Sequence, residues 1–145
     1  MDKIGENAYS LWGNYKILPS IIIAHSVIQS SWGSSVATAK AKNPFNIQTN
    51  ATDENSSIVV KNWYGETIRA KIYTDWKESM EDFLRLFTRR YPESMGETDL
   101  KKLIRYLTCY VGIDRYDEYI EFLILNYDLP GYDEPILNHM NDDMT

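Results

Sequence analysis

A stripe of side chains that could bind a ligand lies on one predicted helix. His25, Gln29 and Trp32 are spaced at i, i+4 and i+7, so they share one side of an α-helix. An imidazole and an amide can hydrogen-bond a ligand, and an indole ring with its polar tip suits the face of a sugar. Asn43 and Phe45 follow and repeat the pairing of an amide with an aromatic ring. The same spacing is also typical of a helix that serves only as core.

The helix that carries this stripe is predicted to run from Pro19 to Gly33. Pro19 suits a first turn, because its missing N–H would be unpaired there anyway. Gly33 can adopt the positive φ that commonly ends a helix. The other side of the helix is apolar, which indicates burial. A short alanine-rich helix over 34–42 and a turn over 43–47 follow, and we expect them to return the chain to the stripe.

The rest of the chain is predicted to be helical apart from one hairpin. Asp75 and Glu78 form a capping-box pattern at one helix start, and Asp114 is the predicted cap of another. Residues 48–57 are polar without periodicity, which predicts an exposed loop. The acidic residues after Pro130 are predicted to fray. The predicted elements are helices over 2–15, from 75, over 99–106 and from 114 to before 128, with strands over 58–61 and 67–73.

Length and composition predict one globular domain over 1–132 with an acidic tail over 133–145. The chain has 145 residues, 43% of them hydrophobic and 25% charged, which is ordinary for a folded domain. Its formal net charge of −6 argues against nucleic acid as a ligand. The same charge argues against adhesion to an anionic surface by charge alone.

The few cysteines and histidines predict no disulfide, metal or cofactor. Cys109 is the single cysteine in the sequence, so no intrachain disulfide can form. Two separated histidines, His25 and His139, make a zinc site improbable. We see no signal-peptide pattern and no apolar run of membrane-spanning length, so we expect no membrane insertion.

Residues 17–47, ILPSIIIAHSVIQSSWGSSVATAKAKNPFNI, carry a family resemblance. They resemble the pattern I-x-P-S-x-x-I-A-Q-A-x-x-E-S-x-W-G-x-S, then N-N-x-F-G-I, of the bacterial and phage glucosaminidases of glycoside hydrolase family 73. The segments 73–82, 108–116 and 129–133 resemble later landmarks of the same family, so the likeness covers nearly the whole chain in order. Three departures stand out: His25 replaces Gln, Asn46 replaces Gly, and Gln29 replaces the catalytic Glu.

The resemblance implies an α+β, mainly α, lysozyme-like domain with one small β-hairpin lobe. In this family the helix Glu protonates the glycosidic oxygen of the N-acetylglucosamine-β-1,4-N-acetylmuramic acid bond, and Tyr110 matches the tyrosine placed beside that Glu. The second carboxylate belongs on the hairpin, where Asn62 stands at its place and Glu66 is the nearest carboxylate. Glu66 is either a displaced base or an ordinary turn residue. The residues implied to bind substrate are His25, Trp32, Asn43, Phe45 and Asn62.

The residue at position 29 determines how much hydrolytic activity can be expected of this chain. An amide keeps the shape of Glu but cannot donate a proton to the leaving oxygen, so we expect impaired or absent hydrolysis. Gln29 is either a laboratory substitution that holds substrate uncut or part of a natural drift toward sugar binding. Natural drift is favoured by the departures at His25, Asn46 and Asn62. Against drift, the residues that match the groove of the family are retained, namely Trp32, Asn43, Phe45 and Tyr110.

Three functions follow from these residues. The first is a monomeric peptidoglycan hydrolase of the autolysin or phage-lysin kind, acting outside the cell, at the wall or in association with a phage. Its implied partner is the peptidoglycan glycan strand. The alternative is a catalytically silent wall-binding or virion structural module on the same scaffold. An unrelated helical interaction protein is the third.

Overall fold

The computed structural model describes residues 2–143 and confirms a mainly α fold with one small antiparallel hairpin. Within these residues the chain divides into two compact units, one formed by the residues up to Ala24 with those from Leu84 onward, the other by His25–Phe83. The elements are α1 (Asp2–Tyr15), α2 (Pro19–Gln29), α3 (Val36–Ala41), β1 (Ser57–Lys61), β2 (Thr67–Lys71), α4 (Trp76–Arg90), α5 (Leu100–Val111), α6 (Tyr116–Asn126) and α7 (Glu134–Asp143), with short 3-10 helices at Pro92–Ser94 and Leu129–Tyr132.

The start of α2 is anchored in the first unit by a buried carboxylate. Asp133 Oδ1 accepts a hydrogen bond from the Ser20 backbone N at 2.8 Å, and its Oδ2 accepts from Ser20 Oγ at 2.5 Å. The carboxylate thereby satisfies an N–H that the first turn of a helix leaves unpaired. Burial raises the pKa of Asp133, while the two bonds from Ser20 act in the opposite direction. The amino-terminal end of α2 is therefore fixed by a residue far along the chain.

The expected frayed tail after Pro130 is wrong for the residues that the structure describes. Asp133 is buried against Ser20, and residues 134–143 form α7, in which Ile136 is buried. A run of acidic residues suggested fraying, but the buried carboxylate and the apolar side chain give this segment a reason to fold. Residues 144 and 145 of the predicted tail lie outside the described residues, and the domain boundary at 132 stays a prediction.

The predicted cap of α6 is also wrong. The helix begins at Tyr116 after Arg115, which adopts a left-handed φ of 63° and makes no side-chain capping bond. The Arg115 Nε instead donates to Glu118 Oε2 at 2.8 Å across the exposed first turn. Asp114 therefore precedes the helix without capping it. Tyr119 on this helix is about half exposed, whereas Ile120, Leu123 and Ile124 are buried.

The second unit packs the hairpin against α3. Strands β1 and β2 pair antiparallel with Val60 opposite Ile68, and both side chains join Ala37 and Ala70 in one buried apolar cluster. The predicted cap of α4 is confirmed, because Asp75 Oδ1 accepts from the Glu78 backbone N at 2.8 Å. Glu78 reaches back to the backbone N of Thr74 at 3.1 Å. No helix among the described residues is both long and apolar enough to cross a membrane.

Candidate functional site

The site begins where α2 ends, four residues earlier than the sequence predicts. The helix stops at Gln29, and Ser31, Trp32 and Gly33 then adopt left-handed φ values of 51°, 60° and 82°. The turn is closed by the Trp32 N–H, which donates to the Val27 carbonyl at 2.9 Å, and by the Gly33 N–H, which donates to Ser30 Oγ at 2.8 Å. The Trp32 side chain is 55% exposed. The turn thus presents a large aromatic ring to solvent three residues after Gln29.

Gln29 is held by Asn46, a pairing that the sequence analysis did not predict. Asn46 Nδ2 donates to the Gln29 backbone carbonyl at 2.7 Å and to Gln29 Oε1 at 3.0 Å. Asn46 has a left-handed φ of 52°, a conformation that asparagine tolerates better than most residues. Both side chains are buried, with 6% of Gln29 and 9% of Asn46 exposed. The only sequence signal for this contact was that both positions depart from the family pattern.

His25 lies in an aromatic cluster one turn before Gln29. Its ring is 4.7 Å from the Phe83 ring and 5.9 Å from the Phe45 ring, measured between centroids. Only 2% of the residue is exposed, and burial lowers the pKa of His25 to about 3. The imidazole is therefore neutral at ordinary pH. In this arrangement it is packed inside the unit and does not form part of an open surface.

Asn43 and Phe45 build the turn that carries Asn46. The Asn43 side-chain N–H groups donate to the carbonyls of Ile47 and Lys71 at 2.9 Å each, and its Oδ1 accepts from the Ile47 backbone N at 3.0 Å. Phe45 stacks on Phe83 with ring centroids 5.0 Å apart and an interplanar angle of 3°. Both residues are buried. The contacts of Asn43 shape this turn and connect it to the end of the hairpin at Lys71.

Asn62 and Glu66 occupy the hairpin turn. Asn62 Oδ1 accepts from the backbone N of Tyr64 at 3.0 Å and of Glu66 at 2.9 Å, so the amide oxygen organises the turn. Gly65 adopts a φ of 84° there, which favours glycine. The Glu66 carboxylate is exposed. Its position therefore leaves both interpretations, displaced base and turn residue, as predictions.

Tyr110 belongs to the other unit. It lies on α5, and its ring meets Phe87 edge-on at 5.6 Å between centroids. The residue is partly buried. Its predicted place beside Gln29 stays a prediction.

From the sequence alone Asp82 is predicted to be a solvated or helix-terminal charge, and this prediction is wrong. Asp82 lies in the middle of α4, is 8% exposed, and accepts from Tyr73 Oη at 2.5 Å and from Lys71 Nζ at 3.2 Å. A cation and a hydroxyl thus compensate the buried carboxylate. This contact ties α4 to the end of the hairpin. The only sequence signal for this contact was that Tyr73 and Asp82 both lie in the segment 73–82, which resembles a landmark of the family.

The fold defines a class of protein through its likeness to solved structures. The catalytic domain of the autolysin Auto from Listeria monocytogenes superposes with a TM-score of 0.74 at 24% identity, covering 91% of this chain and 84% of that one. The glycoside hydrolase domain of FlgJ from Salmonella typhimurium superposes with a TM-score of 0.68 at 15% identity, covering 98% and 94%. The chain therefore has the lysozyme-like fold that the resemblance implied.

The family follows from the sequence itself. The family described as "Glucosaminidase: Mannosyl-glycoprotein endo-beta-N-acetylglucosaminidase" matches residues 5–142, and this chain belongs to it. It is 31% identical over 148 aligned positions to the exo-glucosaminidase LytG of Bacillus subtilis, which covers 92% of this chain but only 52% of LytG. The chain thus spans about half the length of that relative. Family membership removes the unrelated helical interaction protein from the three functions considered.

Proposed function

We propose that this chain binds peptidoglycan glycan strands and that its scaffold is built to cleave the N-acetylglucosamine-β-1,4-N-acetylmuramic acid bond. The observation that carries the proposal is the place of Gln29. It stands at the end of α2, three residues before an exposed tryptophan, where the family pattern has its general acid, in a chain that matches the family over 5–142.

The chemistry expected of the chain as it stands follows from the amide of Gln29. Cleavage of a glycosidic bond needs a carboxylic acid that protonates the leaving oxygen. An amide can donate a hydrogen bond to that oxygen but cannot transfer the proton. A positioned general acid contributes roughly 10²–10⁴-fold to the rate. We therefore expect this form to bind glycan and to hydrolyse it slowly or not at all.

The roles proposed for the other residues divide by exposure. Trp32, 55% exposed, would stack on a sugar face, since aromatic rings offer large contact areas to such ligands. His25, Asn43 and Phe45 are buried and would act by holding the shape of the turn that carries Asn46. Glu66 on the exposed hairpin turn would approach substrate directly, and Asn62 would fix that turn. Tyr110 keeps the role that the resemblance implies, beside position 29.

The alternative, a catalytically silent wall-binding or virion module, has one specific observation in its favour. Asn46 and Gln29 depart from the family pattern together and hydrogen-bond each other. A laboratory substitution of the acid alone would change only one of these positions. For either function we expect a monomer that acts outside the cell, at the wall or with a phage.

The test compares the chain with Gln29→Glu on purified peptidoglycan. We expect the chain to sediment with the wall and to release few reducing ends, and Gln29→Glu to release many more. Gln29→Ala is the matched control, because it also alters position 29 but supplies no acid. Binding without hydrolysis by a well-folded Gln29→Glu variant would favour the silent module. Failure of both forms to bind wall or its oligosaccharides would overturn both functions.

A further inference from the structure

The Gln29–Asn46 contact determines which end of each amide faces the other. The Gln29 backbone carbonyl can only accept, so the Asn46 atom 2.7 Å from it must be the NH₂ group. That same nitrogen is 3.0 Å from the Gln29 side chain, and a planar NH₂ cannot accept. The Gln29 atom facing it must therefore be Oε1. The NH₂ of Gln29 is consequently the end turned away from Asn46.

The orientation of Asn46 is maintained at a cost, which indicates that the contact is not incidental. Its Oδ1 is buried and has no hydrogen-bond partner among the described residues. A buried acceptor without a partner is unfavourable, and flipping the amide would aim this oxygen at the two Gln29 oxygens. This local penalty accompanies one interaction, the donation to residue 29.

We propose that Asn46 is a positioning residue that holds the side chain at position 29 by donating a hydrogen bond to its oxygen. In the chain as it stands, Asn46 fixes the Gln29 amide with its oxygen toward Asn46 and its NH₂ away from it. The effect of this orientation on hydrolysis rests on the proposed function, whereas the action of Asn46 on residue 29 does not.

The same donor would act on a carboxyl group introduced at position 29. Hydrogen bonds to an ionised acceptor are stronger than those to a neutral one, so Asn46 would favour the ionised form by roughly tenfold, or about one pH unit. A general acid must be protonated when it acts. Asn46 would therefore oppose the recovery of catalysis by Gln29→Glu, and its removal would keep the acid protonated to higher pH.

The experiment measures the pKa at position 29 directly. Side-chain carboxyl carbons are titrated by NMR in Gln29→Glu, in Gln29→Glu/Asn46→Gly and in Gln29→Glu/Lys42→Gly. The resonance of interest is the one absent from the chain without Gln29→Glu. Lys42 is the matched control, because it is exposed and has the same left-handed φ of 52°, so its glycine variant changes the backbone similarly without touching residue 29.

We expect Asn46→Gly to raise this pKa by about one unit, and Lys42→Gly to leave it unchanged. An unchanged or lower pKa in Gln29→Glu/Asn46→Gly would overturn the proposal. If that variant folds poorly, Asn46→Ser provides a second removal of the amide nitrogen. Hydrolysis separates the two proposals: a raised pKa without activity refutes only the proposed function, and activity without a pKa shift refutes only the role of Asn46.

Discussion

Acid should destabilise this protein through His25, and the size of the effect follows from its burial. The folded-state pKa is lowered from 6.5 to about 3 because the ring is packed against Phe45 and Phe83. Between those two values the unfolded chain binds a proton at this residue and the folded chain does not. Stability therefore falls as pH drops below 6.5, by about 1.4 kcal/mol per pH unit from this residue alone.

At pH 4.5 the expected contribution is a loss of roughly 3 kcal/mol relative to pH 7.5. That is a substantial part of the 5–15 kcal/mol by which domains are typically stable. Asp133 has the opposite sign, because burial raises its pKa and its ionisation as pH rises costs stability. The measurement must therefore isolate His25 from the carboxyl groups.

The matched variant is His25→Gln, which places the residue of the family pattern at this position. Urea unfolding of both proteins from pH 7.5 to 4.5 gives two curves of free energy against pH, and their difference removes every shared titration. We expect the difference to change by roughly 3 kcal/mol in favour of His25→Gln as pH falls. Parallel curves would refute the reasoning, because they would mean that His25 is protonated equally in both states.

Three further predictions concern the turns around the site. Asn43→Ala should cost about 2–4 kcal/mol in urea unfolding, because it leaves the partners of three hydrogen bonds unpaired, two of them buried and one partly buried; a loss below 0.5 kcal/mol would contradict this. Asp75→Ala should cost about 1 kcal/mol by removing the cap of α4, and an unchanged melting temperature would count against that cap. Trp32→Ala should weaken binding to chitin oligomers in calorimetry while barely changing stability, since the ring is mostly exposed; unaltered affinity would remove Trp32 from the proposed site.

The sequence predicted most elements because their signals are local. The helix over 2–15, the hairpin between the strands over 58–61 and 67–73, and the Asp75–Glu78 cap each depend on residues a few positions apart, and the structure has all three. The end of α2 was placed too late, since Gly33 suggested a single stop whereas the left-handed turn already includes Ser31 and Trp32. Local patterns fix an element's existence better than its last residue.

Contacts between distant residues could not be predicted in this way. Two contacts of this kind are Ser20 with Asp133 and Gln29 with Asn46. Each pair is brought together only by tertiary structure, and no local pattern around one residue indicates which distant residue it contacts. Charge patterning therefore suggested a frayed tail where a buried carboxylate anchors a helix. For the candidate site, residue types predict position 29 as its centre, and this stays a prediction. The burial of His25 and the three hydrogen bonds of the Asn43 amide depend on the packed turn.

The identity of the new reducing end is the most direct test of the account. Gln29→Glu is incubated with purified peptidoglycan, the products are reduced with borohydride, and the reduced sugar is identified by mass spectrometry, with the unsubstituted chain as control. Cleavage of the proposed bond leaves N-acetylglucosamine at the reducing end, so we predict N-acetylglucosaminitol, with little or none from the control. N-acetylmuramitol as the reduced sugar would contradict the account, because a different glycosidic bond would then have been cut.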